Sequence, residues 1–384
     1  MRGDWHMRQE ITTRVAAAAR AAGLDAVVAI SPENFAYLAG FVLPSQPLIR
    51  HRHAAAIVTA SGQTAVFAVD MEATTLRRRL PDVPTAIWAE FSDDAMRVLA
   101  DQLAGMGLGG ARIGIETDYL PAGDYLRLAA YLPGARLEPV EALLARLRQI
   151  KTADEIALLW RLSRIADQAI TDALASVRAG DSEMDIAGHL SRNVHALGAE
   201  QFKLMIIATG ERSRLPNVGP SERRLARGDV CRVEIFSVID GYQAGVCRTA
   251  VVQQAPPMAE PIWAHLVACK YLLLDMIRPG ASCLAVYRAF LDKLAEMNLP
   301  PIGFVGHGIG LHLHEDPYVG ATPILGRPGE DALIEEGMVL GFEPLCYETG
   351  YGFGMQNKDM LVVTADGCRL MSDYADTDRL IVVE

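Results

Sequence analysis

Short apolar runs alternate with longer amphipathic stretches along this chain, and the two patterns fall in different places. Ala26-Val27-Val28-Ala29-Ile30 is a continuous apolar run of strand length. Ala54 to Val58 and Thr64 to Val69 are two more, and Ser61-Gly62 between them predicts a hairpin. Further on, Thr152-x-x-Glu155 is a capping box, and Ile156, Leu159, Ala166 and Ile170 follow at helical spacing. A domain boundary is expected just before it, dividing the chain into 1–147 and 148–384. The second part carries a faint repeat. Arg178-Ala179-Gly180-Asp181-Ser182 and Arg278-Pro279-Gly280-Ala281-Ser282 each break the chain at Gly and offer Ser or Asp as a helix cap. Gly228-Asp229 leads into an apolar run, and Asp240-Gly241 predicts a hairpin turn after it.

Composition narrows the function classes. A net charge of −11 gives little support for binding a nucleic-acid backbone. No run of eighteen apolar residues implies a membrane span, and Met1 to Met7 lack the apolar stretch of a signal peptide. The six cysteines form no C-x-x-C pair, so a thiolate zinc site is not expected, and a reducing cytoplasm is the simplest compartment.

The candidate chemistry lies late in the chain. Gly306-His307-Gly308-Ile309-Gly310 is followed by His314-Glu315, then Phe342-Glu343-Pro344, then Asn357-Lys358-Asp359. With Gly228-Asp229, Arg248-Thr249 and Glu336-Gly337-Met338, this order resembles the creatinase, aminopeptidase P and prolidase superfamily. Ser31 to Phe41 resembles its N-terminal-domain signature, and Arg148 to Glu155 its inter-domain helix. The resemblance implies an α+β chain, with a C-terminal pita-bread catalytic domain made of two related halves preceded by a smaller α/β domain. It also implies a two-metal site of two Asp, one His and two Glu. Those positions here read Glu234, Gly245, His307, Glu343 and Lys358. Two ligands are missing, one of them replaced by a cation. Neither a metal nor another cofactor is therefore expected.

Freed from metal, His307 could act as a general acid or base near neutral pH. Glu343 could serve as base or anchor a cationic nitrogen. In the family, the residue matching His314 contacts substrate or its oxyanion. Lys358 would offset the charges of Glu234 and Glu343. The neighbours Met355 and Met360 to Val363 argue that it sits in a buried strand. His312 is an extra imidazole that would share a strand face with His314. Arg248 is expected to order the site by hydrogen bonds. Asn217 stands twelve residues before Asp229, where the peptidases and creatinase have a histidine; Asn cannot take up that proton. Arg52, within Arg50-His51-Arg52-His53, is in register with a creatinase arginine that holds substrate carboxylate across a dimer. Tyr318 completes the expected substrate-binding set of Arg52, Asn217, Arg248 and His312.

The leading expectation is a metal-independent, creatinase-like hydrolase of a C–N bond in a small amidine, urea, lactam or amide. It would be a homodimer with composite sites, and peptidase activity ranks below it. The alternatives are a single-metal Xaa-Pro-type peptidase on Glu234, His307 and Glu343, a lyase acting by general-base elimination, and a non-catalytic peptide-binding module.

Overall fold

A computed structural model describes residues 8–321 and 330–384. The chain separates into two compact units, Met1–Arg148 and Gln149–Glu384.

The first unit is built on a sheet in the order Thr85–Trp88, Thr64–Val69, Ala55–Thr59, Ala26–Ala29, Arg112–Ile115, Arg136–Pro139. Ala55–Thr59 and Thr64–Val69 pair antiparallel, joined by the predicted turn at Gly62, whose φ is +91°. The signature segment forms the helix Pro32–Ala39, capped by Ser31 at one end and ended by Gly40 in the left-handed region.

In the second unit Thr152 and Glu155 form the expected capping box for the helix Ala153–Leu174. Val230–Ile239 and Tyr242–Val252 then pair in full register through Asp240 and Gly241, both with positive φ, the conformation a two-residue hairpin turn of this hand requires. With Gln201–Thr209 and Ile381–Val383 they make one sheet. A second sheet runs in the order Glu315–Gly320, Phe304–Gly308, Val339–Phe342, Asp359–Val363, Cys368–Leu370.

The faint repeat is real. Gly180 N donates to Leu225 O and Gly280 N to Ile334 O, each over 2.8 Å. Ser182 Oγ accepts from Asp185 N and caps Glu183–Ala196; Ser282 Oγ accepts from Ala285 N and caps Cys283–Ala295. Gly228 N donates to Val252 O and Gly337 N to Val363 O, and in each half the valine N–H returns a bond to the residue after the glycine. The two halves meet where Cys247 N donates to Lys358 O. This is the pita-bread arrangement, and it brings the first hairpin against the second sheet.

Candidate functional site

Alternation along Val230–Ile239 puts Arg232, Glu234 and Phe236 on one face. Their cross-strand partners are Thr249, Cys247 and Gly245. From the second sheet, Phe304–Gly308 supplies His307, the end of Val339–Phe342 supplies Glu343, and the segment around Asp359–Val363 supplies Gln356 and Lys358.

These side chains close into a ring. Lys358 Nζ donates to Glu234 Oε1 over 3.0 Å and lies 3.5 Å from Glu343 Oε2. Gln356 Nε2 donates to Glu343 Oε2 over 2.6 Å. Arg232 Nη1 donates to Gln356 Oε1 over 3.1 Å and lies 4.0 Å from Glu234 Oε2, which completes the circuit. All five residues are buried. Burial works against the charge on Lys358, but Glu234 and Glu343 outweigh it and raise its pKa. Burial also pushes Glu343 upward, and the Lys358 charge and the His307 contact more than reverse this. Both therefore stay ionised.

His307 Nδ1 lies 2.8 Å from Gly308 O, which assigns the proton to that nitrogen. Its buried Nε2 has no hydrogen-bond partner and stands 3.5 Å from Glu343 Oε1. The His314 ring stacks on it, with centroids 3.8 Å apart and planes 13° from parallel. His314 Nδ1 bonds the Tyr318 hydroxyl, and Phe304 packs edgewise against both imidazoles. Burial first, then the neighbouring His307 ring and the Lys358 charge, lower His314 to about 3, so it is neutral over the physiological range.

Arg248 is buried and held by its neighbours on every side. It donates to Asp167 over 2.7 Å and to the carbonyls of Cys247 and Lys358, and it pairs with Asp359 at 2.8 Å. His312 differs from the expected strand placement, and Asn217 and Arg52 are not part of the ring. Residues 310–314 form bends rather than a strand, because His312 N turns back to donate to Glu315 Oε1; His312 and His314 therefore do not share a strand face. Asn217 is exposed, on the segment whose preceding carbonyls, Leu215 and Pro216, accept from Arg232. Arg52, in the first unit, is clamped by Glu90 through two hydrogen bonds of 2.8 and 2.9 Å.

Sequence reasoning missed Arg232, Phe236 and Gln356. An arginine inside the apolar run Val230 to Val233 was the available signal for the first; for the others the signal lay in cross-strand register. Gly245 faces Phe236, and a Cβ added at Gly245 would meet that ring at 2.5 Å.

The signature of metallopeptidase family M24 matches residues 157–365, and that of the creatinase/prolidase N-terminal domain matches residues 12–150. The chain belongs to family M24. A Bacillus subtilis protein named uncharacterized peptidase YqhT is 27% identical over 360 residues, spanning 91% of this chain and 94% of that one. A Mycobacterium bovis protein named "Probable dipeptidase PepE" is 29% identical over 361 residues, 92% and 91% of the two chains. The crystal structure of dipeptidase PepE from Mycobacterium ulcerans superposes with a TM-score of 0.82 at 26% identity, covering 99% of this chain and all of that one. These relatives overturn the expectation of a creatinase-like hydrolase of small non-peptide compounds, and with it the low rank given to peptidase activity. Proteins that match nearly the whole chain carry peptidase and dipeptidase names.

A metallopeptidase family implies ions, and the donor set can be tested against them. Glu234, His307 and Glu343 keep donor atoms. Gly245 has none, and Lys358 is a cation bonded to a would-be ligand. Among the described residues no group of three or more His, Cys, Asp or Glu is arranged to hold a metal ion. The residues do not fit the two-ion set. Among the described residues, no helix is long and apolar enough to cross a membrane.

Proposed function

We propose that this chain hydrolyses dipeptides or similarly short peptides, with the reacting bond held beside Glu343, His307 and His314. The observation that carries this reading is the buried pair of His307 Nε2 and Glu343 Oε1, two groups facing each other over 3.5 Å with the ring nitrogen unpartnered. A carboxylate and an imidazole so placed can orient a water and move its proton. His314, neutral and fixed by Tyr318, offers its other ring nitrogen to a peptide carbonyl. Lys358 lies between the two carboxylates and holds them together. The dipeptide class rests on the names of the full-length relatives.

A second reading, a peptide-binding protein without turnover, is favoured by the closed ring, which leaves Glu234 fully engaged by Lys358 and Arg232. Incubation of the purified chain with a dipeptide panel that includes Xaa-Pro members, read by mass spectrometry, separates the two. Release of free amino acids, lost in Glu343→Gln, supports hydrolysis. Saturable binding by calorimetry without release replaces it with the second reading, and neither binding nor release removes both. Assembly as a homodimer finished by Arg52 belongs to this proposal as well. It requires the Arg52–Glu90 clamp to present its remaining donor to a carboxylate, and a monomer at micromolar concentration would count against it.

A further inference from the structure

The chain has replaced the charge and the volume of the ions with its own side chains, by two separate devices. The first is electrostatic. Glu234 and Glu343 contribute two negative charges to the ring, and Lys358 and Arg232 contribute two positive ones. The buried ring is neutral as it stands. A divalent cation placed in it would leave two uncompensated positive charges in a site removed from water, which is costly.

The second device is steric. Gly245 and Phe236 stand directly opposite each other in the hairpin, and the Phe236 ring lies across the bare glycine. Any side chain at 245 would meet Phe236 Cδ1 at 2.5 Å and Ile235 O at 2.6 Å. A glycine inside a strand marks a close approach of this kind. The same ring lies 4.7 Å from Lys358 Nζ, so its face also stabilises the ammonium. Phe236 therefore couples the two lost ligand positions.

We infer that Arg232, Lys358 and Phe236 form an internal substitute for the ion pair, so that the folded chain excludes divalent metal, and that restoring ligand residues singly will not restore both ion positions. The inference rests on the ring and the hairpin, independently of which peptide is bound or cleaved.

Metal content and thermal midpoint test it without any substrate. The full-length chain and its variants are stripped, incubated with Mn²⁺ or Zn²⁺, passed through gel filtration and assayed by plasma mass spectrometry. The wild type should carry substoichiometric metal, with a midpoint that added ion does not move. Lys358→Glu should be less stable alone and should gain ~5 °C or more at an ion concentration about a hundredfold above its Kd. Gly245→Asp should be destabilised without gaining metal, and Phe236→Ala in the Gly245→Asp background should recover part of that loss. One ion per wild-type chain surviving gel filtration would overturn the inference. So would a Gly245→Asp variant as stable as wild type that takes up metal. If Lys358→Glu fails to fold, Lys358→Gln is the alternative: uptake of metal by it supports the charge argument, and continued exclusion sinks that half.

Discussion

The two halves of the pita-bread unit share one frame and fill it differently. In the first, the sixth residue after Gly228 is Glu234; in the second, the sixth after Gly337 is Glu343. Counting back from the valine that each glycine bonds, the fifth residue is Cys247 in one half and Lys358 in the other, and the fourth is Arg248 in one and Asp359 in the other. Both halves thus hold a buried carboxylate at an equivalent point. Cys247 and Lys358 meet at the seam through their main chains, and the Arg248 and Asp359 side chains pair across it. The frame is set by glycine turns and main-chain bonds, which do not depend on what the side chains carry. That independence lets one half carry a glycine under an aromatic ring and the other a buried ammonium without disturbing the fold.

If only the second half touches the imidazoles, its carboxylate should matter more. Glu343→Gln should lower dipeptide turnover by ~10²–10⁴, the usual contribution of an acid–base group. Glu234→Gln, whose carboxyl meets Lys358 and Arg232 but no histidine, should cost clearly less. Steady-state rates of the two variants decide it, and equal losses would erase the distinction between the halves.

The seam itself can be cut. Arg248→Met would leave Asp167 and Asp359 buried without their counter-charge, and breaking a buried pair costs ~3–5 kcal/mol. Denaturant melts should show this as a fall in midpoint.

The next effect is a pH dependence. His314 has a folded pKa of about 3 against an ordinary 6.5. Between those values the unfolded chain binds a proton that the folded chain refuses, so this group makes stability fall as pH drops from about 6.5 towards 3. His314→Gln should flatten the acid limb of the melting curve relative to wild type. An unchanged slope would mean that the stacked pair takes up a proton readily.

The smallest effects belong to the repeated caps. Ser182→Ala and Ser282→Ala should each cost ~0.5–2 kcal/mol. The Ser182 backbone N–H also donates back to the Asp185 carboxylate, whereas the Ser282 hydroxyl donates across to Asp331. Similar losses in thermal melts would place the two turns on an equal footing.

What could be read from the sequence follows this division between frame and filling. Thr152-x-x-Glu155, Asp240-Gly241 and the turns at Gly180 and Gly280 are local, and each is where the residue pattern puts it. Lys358 beside Glu234 was legible through the family resemblance, although the two are far apart in the chain. Phe236 against Gly245 was not, because only strand register sets them opposite. Arg232 and Gln356 share a hydrogen bond across more than a hundred residues, and no local pattern announces such a contact. His312 was misplaced because a single backbone bond to Glu315 turns the segment away from the extended form.

The stacking of His307 on His314 has a spectroscopic consequence. Two parallel imidazoles this close place the carbon-bound ring protons of each within the shielding region of the other. Their resonances should lie upfield of the remaining histidines in a proton–carbon correlation spectrum. A ligand that parts or tilts the rings would move both signals together, giving a reporter of site occupancy that needs neither turnover nor an added label.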